Sequence, residues 1–297
     1  MLYRFVDRQK AEGFPVERVC DVAGVSTSAY YDWKKHRDGI VGAVELRERL
    51  LVAKIRQIHK TSGGTYGSPR VTAELADQGR IVNHKRIERL MRIYDIVGYT
   101  PKKRTVTTIP YAEHRIPDLV QRNFIPDGLD VTWAGDITYI RTWEGFLYLA
   151  VVEDLASRRI LGMSMAGHMR ASLVGDALEE AAGTRGGHID GVVFHSDRGS
   201  QYTSGEYGDL CERLGVTQSV GRTGVCWDNA PSESFFATLK KELVYRTTFQ
   251  TRTEARLAIR HWIESWYNLR RLSSVIGYQT PIGWENHYRH NTNTLAA

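Results

Sequence analysis

The sequence predicts an α/β (α+β) chain: small helical units, then a core of helices packed on a mixed five-stranded sheet. Three observations predict it. Apolar residues recur at helical spacing through residue 97 and at strand spacing from residue 131. A stretch rich in Pro and Thr, 98–128, separates the two regimes. The region beyond it reads strand, strand, strand, helix, strand, helix, strand, helix.

The elements follow in order. Residues 1–38 form a first helical unit, with Phe5 and Val6 on one stripe and Val16, Val19 and Cys20 on the next. Gly24 and the polar run Ser26-Thr-Ser28 then turn the chain into a short helix, Ala29 to Lys35. Helix, glycine turn and polar-capped helix is helix-turn-helix grammar, although a plain helical hairpin would read the same way. Residues 44–97 form a second helical unit. Its first helix carries Leu46, Leu50, Leu51, Ile55 and Ile58; Thr61-Ser-Gly-Gly-Thr-Tyr-Gly67 breaks it. Ser68-Pro69 opens a second helix, with Val71, Leu75 and Ala76 inward. Asn83 caps a third, with Ile87, Leu90 and Met91 apolar and Arg86, Arg89 and Arg92 along the other side. The linker holds Pro101-Lys-Lys-Arg104; Lys102, Lys103 and Arg104 suit phosphate contacts or plain solvation equally.

From 129 to 290 the core unfolds as an antiparallel meander over 131–141, 145–153 and 159–165, then a helix over 171–183. Short strands at 191–194 and 216–220 flank a helix over 204–214. Ala230-Pro231 opens the next helix, and 252–271 reads as one long helix with Leu257, Ile259, Trp262 and Trp266. This order is the ribonuclease-H-like arrangement, in which acids from the first strand, the fourth strand's end and a later helix meet at one edge.

Bulk properties narrow the function. A hydrophobic content of 42% and a charged content of 25% are ordinary for a globular protein. No apolar run approaches the ~20 residues that cross a bilayer, and the N-terminus reads as a helix start, so a cytoplasmic, nucleoid-associated protein without membrane partners is expected. Cys20, Cys211 and Cys226 are too scattered for a disulfide framework or a zinc site. Residues 1–130 hold 23 Lys and Arg against 16 Asp and Glu, whereas 131–297 hold 17 against 18. A basic half beside a near-neutral one suits grip on a polyanion by one part and chemistry by the other.

Three acids carry that chemistry. Asp136 sits mid-strand among Ile137, Tyr139 and Ile140, where an acid is costly unless paired, hydrogen-bonded or metal-bound. Asp197 follows a strand end and precedes Gly199. Glu233 lies in the first turn of its helix, where the helix dipole favours an ionised carboxylate. The last two are separated by 35 residues (233 − 197 − 1). Converging carboxylates bind Mg²⁺, and two such ions clamp the attacking and leaving oxygens of a phosphoryl displacement. Asp136 and Asp197 would hold one ion, Asp136 and Glu233 the other. Lys240, two turns after Glu233, can meet a phosphate beside them. Asp154 is expected to fix a turn with Ser157 and Arg158; His195 suits a structural role better than a metal ligand.

With these motifs in place the chain resembles the OrfB transposases of bacterial insertion sequences, whose core is similar to retroviral integrase. Tyr66-Gly-Ser-Pro-Arg70 and Arg89-Leu-Met-Arg92 resemble the family's helical DNA-binding region. Asp136-Ile-Thr-Tyr139, His195-Ser-Asp197-Arg-Gly-Ser-Gln-Tyr202 and Asp228-Asn-Ala-Pro-Ser-Glu233 resemble its core, and Tyr267-Asn268 through Gly277-Tyr278 and Pro281 its C-terminal signature. One departure is Ser273, where the family often has His. The resemblance implies a DDE recombinase: Asp136, Asp197 and Glu233 as metal ligands, two Mg²⁺ replaceable by Mn²⁺, and Lys240 and Arg70 as DNA contacts. Arg86 and Arg89 are expected to touch DNA as well. The resemblance also implies cleavage of element ends, joining of the 3′-hydroxyl to target DNA, synaptic homo-oligomers and an OrfA subunit or fusion. A hydrolysing nuclease of the same fold and a non-catalytic DNA-binding regulator are the alternatives.

Overall fold

A computed structural model describes residues 2–37, 43–99, 116–121, 123–221 and 229–295. Lys102, Lys103, Arg104 and Cys226 lie outside these residues. Helices α1 (Leu2–Ala11), α2 (Val16–Ala23) and α3 (Thr27–Arg37) close on Val6, Cys20 and Tyr30. Gly24, left-handed at φ 65°, caps α2, and Ser26 Oγ accepts from the Ala29 amide at the start of α3. Asp7 ties the unit together: Tyr30 donates to it at 2.8 Å, and Lys34 and Arg37 pair with it. These bonds hold its carboxyl well below the usual range, with Arg37 contributing most. Phe5 is exposed, because α1 buries only Val6 against the other two short helices.

The second unit is α4 (Ala43–Thr61), α5 (Ser68–Asp77) and α6 (His84–Ile93). Its core is Leu51, Val52, Ile55, Ile58, Val71, Leu75, Ile87, Leu90 and Met91. Leu46 and Leu50, expected inside, are exposed; in the same turn as Leu50 it is Leu51 and Val52 that face the core. Ala76 is also exposed, while Ala73 packs against the core. The N-cap of α5 is Gly67, one residue earlier than expected, and Asn83 caps α6 by accepting from the Lys85 amide.

The core sheet is β1 (Thr132–Thr142), β2 (Gly145–Asp154), β3 (Ile160–Ala166), β4 (Val193–Ser196) and β5 (Thr217–Val220), in the order β3-β2-β1-β4-β5. The β1–β2 and β2–β3 pairs are antiparallel; β1–β4 and β4–β5 are parallel. Helices α7 (Ala171–Thr184) and α8 (Gly205–Arg213) cover one face, over Trp133, Ala150, Val152 and Phe194. Helices α9 (Ala230–Glu242) and α10 (Arg252–His261) cover the other, over Ile140, Leu149, Val151 and Met163. The expected long helix is broken. After α10 the backbone widens into a π turn, Trp262–Tyr267, with the Asn268 amide donating to the Ile263 carbonyl. Leu257 faces solvent. The wider turn brings Asn268 against the outer strand, where its side chain accepts from the Ile160 amide and donates to the Ile160 carbonyl. A lone amide thus closes part of the β3 edge.

The last helix, α11 (Pro281–Leu295), is fixed by Glu285, whose carboxylate pairs with Arg185 and Arg159 at 2.7 Å each and accepts from Ser157 Oγ at 3.0 Å. Glu285 and Arg185 are both buried at this joint, and the two arginines hold the carboxyl below its usual range against the opposing effect of burial. Removing one partner would leave uncompensated buried charge. Glu285→Ala should therefore lower the unfolding free energy by about 3–5 kcal/mol, measured as a shifted urea midpoint at unchanged slope.

Candidate active site

The site is built by the register of two parallel strands. β4 is four residues long and pairs with β1 only through Thr132–Val193, Trp133–Phe194 and Ala134–His195. Asp136 lies two residues beyond Ala134, and Asp197 lies two residues beyond His195. Neighbouring parallel strands run about 4.8 Å apart, so equal offsets set the two acids side by side where the strands part. Gly135 permits the approach: a Cβ there would come within 2.3 Å of Phe194 Cζ. Asp197 Oδ1 accepts from the Gly199 amide at 2.9 Å, a turn that any side chain at 199 would crowd. Asp136 Oδ1 accepts from the Ile137 amide at 2.8 Å, which fixes its carboxylate.

The third acid arrives on α9. Phe235, Phe236 and Leu239 bury one face of that helix, leaving Glu233 on the open face and Lys240 half-buried. The helix start is held to β1 by Asn229, whose Nδ2 donates to the Gly135 carbonyl at 3.1 Å. Asn229 Oδ1 and Ser232 Oγ are buried beside it without a hydrogen-bond partner among the described residues. The quoted motif contained Asn229, but its amide had no partner to assign until the fold placed Gly135 opposite.

Electrostatics join the three acids. Burial and then the charge of Asp197 push the Asp136 carboxyl up to about 7; Glu233 adds to the rise, while the Ile137 amide and Lys240 oppose it. Partial burial raises the Glu233 carboxyl above its usual range. Burial also holds the Lys240 ammonium below its usual range, and its Nζ lies 5.7 Å from the centre of the Tyr139 ring. Among the described residues no three His, Cys, Asp or Glu side chains stand close enough to form a finished metal cage. The donor set nonetheless suits a hard divalent cation, which would relieve the like-charge crowding on Asp136.

Other acids and bases have structural partners. Asp154 accepts from the Ser157 amide and hydroxyl and from the Asp130 amide, and its carbonyl accepts from Arg158, fixing the β2–β3 turn. His195 is buried, with Nδ1 2.9 Å from Ser219 Oγ. Of the expected DNA contacts, Arg86 is exposed on α6, whereas Arg89 pairs with Glu48 at 3.0 Å. Arg70 turns inward: its Nε donates to the Leu272 carbonyl at 3.1 Å and its guanidinium lies over the Tyr66 ring, because the core chain passes beneath it.

This sheet order, with acids at the parting of β1 and β4, defines a ribonuclease-H-like core carrying helical units at its N-terminal side. The integrase core domain family matches residues 129–226, a second integrase core domain family matches 214–281, and the HTH-like domain family matches 45–104. The transposase InsF for insertion sequence IS3A of Escherichia coli (strain K12) is 36% identical over 293 residues, covering 96% of this chain and 99% of its own. The insertion element IS600 uncharacterized 31 kDa protein of Shigella sonnei is 36% identical over 273 residues, 91% and 98% of the two chains. Among solved structures, a chain of the simian T-cell lymphotropic virus intasome aligns at 16% identity over 78% of this chain and 74% of that one, with a TM-score of 0.44. The HTLV-2 integrase catalytic core domain in complex with magnesium aligns at 15% identity over 53% and 97%, with a TM-score of 0.39. The chain belongs to the IS3 family of insertion-sequence transposases. No helix among the described residues is long and apolar enough to cross a membrane.

The burial of Asp136, with the charge of Asp197 beside it, has a cost in stability. Its folded value near 7 lies above the ordinary 3.8, so its contribution is whole below about 3.8 and is lost as pH rises through 7. Asp136→Asn should therefore stabilise the ion-free protein relative to wild type at pH 8 by about 1–3 kcal/mol after allowance for solvent screening, and not at pH 4. Urea unfolding at the two pH values checks this; an equal difference at both would refute the crowding. Separately, Gly135→Ala should cost about 1–3 kcal/mol through overpacking on Phe194, partly restored by Phe194→Leu in the same chain.

Proposed function

We propose that the protein cleaves the ends of its insertion sequence and joins the freed 3′-hydroxyl to target DNA. The observation that carries this reading is the matched offset of Asp136 and Asp197, with Glu233 brought to the same neighbourhood by the Asn229–Gly135 bond. Asp136, Asp197 and Glu233 are the residues that would hold divalent metal, two Mg²⁺ or Mn²⁺ in our reading. When bound, the metal supplies charge neutralisation at the phosphate and a more acidic water or hydroxyl nucleophile. The chain's own residues do the rest. Asp136, with a carboxyl near neutrality, gives up a proton as it takes a cation, so site loading improves as pH rises through about 7. Lys240, which makes no ion pair among the described residues, is placed to meet a DNA phosphate beside the acids. Arg86 on α6, with Arg89 beyond its Glu48 pair, offers phosphate contacts for the helical unit. Synaptic homo-oligomers and an OrfA subunit or fusion complete the reading.

The test uses labelled duplex carrying the inverted repeats that flank the coding sequence. Wild type should nick it and join ends only with Mg²⁺ or Mn²⁺. Glu233→Gln and Asp197→Asn should each lose at least ~100-fold of nicking, on the scale of losing a transition-state charge stabiliser, while duplex binding persists. Binding should fall steeply with salt, as counterion release requires. Nicked but never joined products would identify a nuclease instead; binding without any metal-dependent cleavage would identify a regulator. An Asp197→Asn chain that still joined strands would sink the assignment of the acids.

A further inference from the structure

The helical unit of α4–α6 does not complete its own core. Leu272, from the chain beyond the π turn, is buried among Leu51, Ile55, Val71 and Leu75. Its backbone is taken on both sides by the Tyr66–Arg70 motif: the Leu272 amide donates to Tyr66 Oη at 2.9 Å, and Arg70 Nε donates to the Leu272 carbonyl at 3.1 Å. The Tyr66 ring is 2% exposed and its centre lies 6.0 Å from that of Trp266. The next link is Glu242. Arg271 Nε donates to its Oε1 at 3.0 Å and Trp266 Nε1 to its Oε2 at 3.1 Å. Glu242 is the last residue of α9, and Glu233 is in that helix's first turn. The helical unit is thus bonded to one end of a 13-residue helix whose other end is bonded to β1 beside Asp136. That helix spans roughly 20 Å.

Resting on the transposase reading, we propose that this junction sets the cleavage position. Tyr66 and Arg70 are positioning residues that hold α4–α6 at a fixed offset from the acids, so the cut falls at one phosphate a set distance from the bases the helical unit reads. The tolerance is tight. Successive phosphates of one strand lie about 3.4 Å apart along the duplex axis, so play of that size at the junction moves the cut by one nucleotide. Paired polar contacts to one backbone residue supply a geometric restraint that apolar packing alone does not, because hydrogen bonds are directional.

Two variants separate positioning from DNA contact. Tyr66→Phe keeps the buried ring and removes only the hydroxyl. Arg70→Lys keeps a positive charge for DNA and removes the Nε donor. Each full-length chain is assayed on the inverted-repeat duplex with Mg²⁺, nicks being mapped to the nucleotide and binding measured by gel shift. Both variants should bind within about twofold of wild type and spread their nicks over neighbouring phosphates, with the share at the principal phosphate falling by about 2- to 12-fold, the scale of one hydrogen bond. Nicks confined to the wild-type phosphate would overturn the proposal. Binding lost in Arg70→Lys but kept in Tyr66→Phe would overturn it too, assigning Arg70 to DNA.

A second measurement needs neither DNA nor metal. Amide hydrogen exchange of Tyr66→Phe should show Leu272 and the last turn of α9 exchanging faster by the same factor. Unchanged exchange in α9 would overturn the coupling. A wild type that never nicks would count against the transposase reading, and the exchange result would still decide the junction.

Discussion

The crowding of Asp136 against Asp197 is the constraint on which the rest of the core depends. Burial and the neighbouring charge of Asp197 raise the cost of ionising Asp136, and the Ile137 amide and Lys240 offset this only in part. The fold accepts this because the parallel pairing of β1 with β4 stops at Ala134 and His195, leaving the two acids where the strands separate. Everything nearby maintains that register. Gly135 leaves room for the tip of the Phe194 ring against β1, His195 is anchored to Ser219 on β5, and Asn229 fixes the start of α9 to the same point of the strand.

The C-terminal segment serves the other parts of the molecule in turn. Asn268 covers the edge of β3, Arg271 reaches the end of α9, Leu272 enters the core of the second helical unit, and Glu285 binds Arg159 and Arg185 around the Asp154 turn. Each contact joins residues more than twenty positions apart in sequence. Such buried polar links are directional, so they specify one arrangement of units that apolar packing would leave loose. Residues 252–295 therefore act less as a separate element than as the strap that joins the second helical unit, α9 and the sheet.

Much of this was legible in the residues themselves. The alternation over 131–166 gave the meander, and the acids stood in surrounds that distinguished them from Asp154, whose spacing to Ser157 marked it as a turn residue. Other features were not legible. Leu46, Leu50 and Leu257 have helical spacing but face solvent, because periodicity marks a stripe and not which of its residues a neighbour covers. The π turn was invisible because its cause, the Ile160 backbone that Asn268 must reach, lies over a hundred residues away. Arg70 resembled a phosphate contact, since a sequence shows its charge and not the Leu272 carbonyl that holds it.

Local patterning by itself determined the strands and most of the helices and singled out the three acids as candidates, because side-chain periodicity and turn chemistry act over a few residues. Only the tertiary structure decided that Asp136 carries a carboxyl near neutrality and that Asn229, Tyr66 and Arg70 work as joints. Desolvation, like-charge crowding and hydrogen bonds to remote backbone depend on distances through space, and these exist only once the chain has closed on itself.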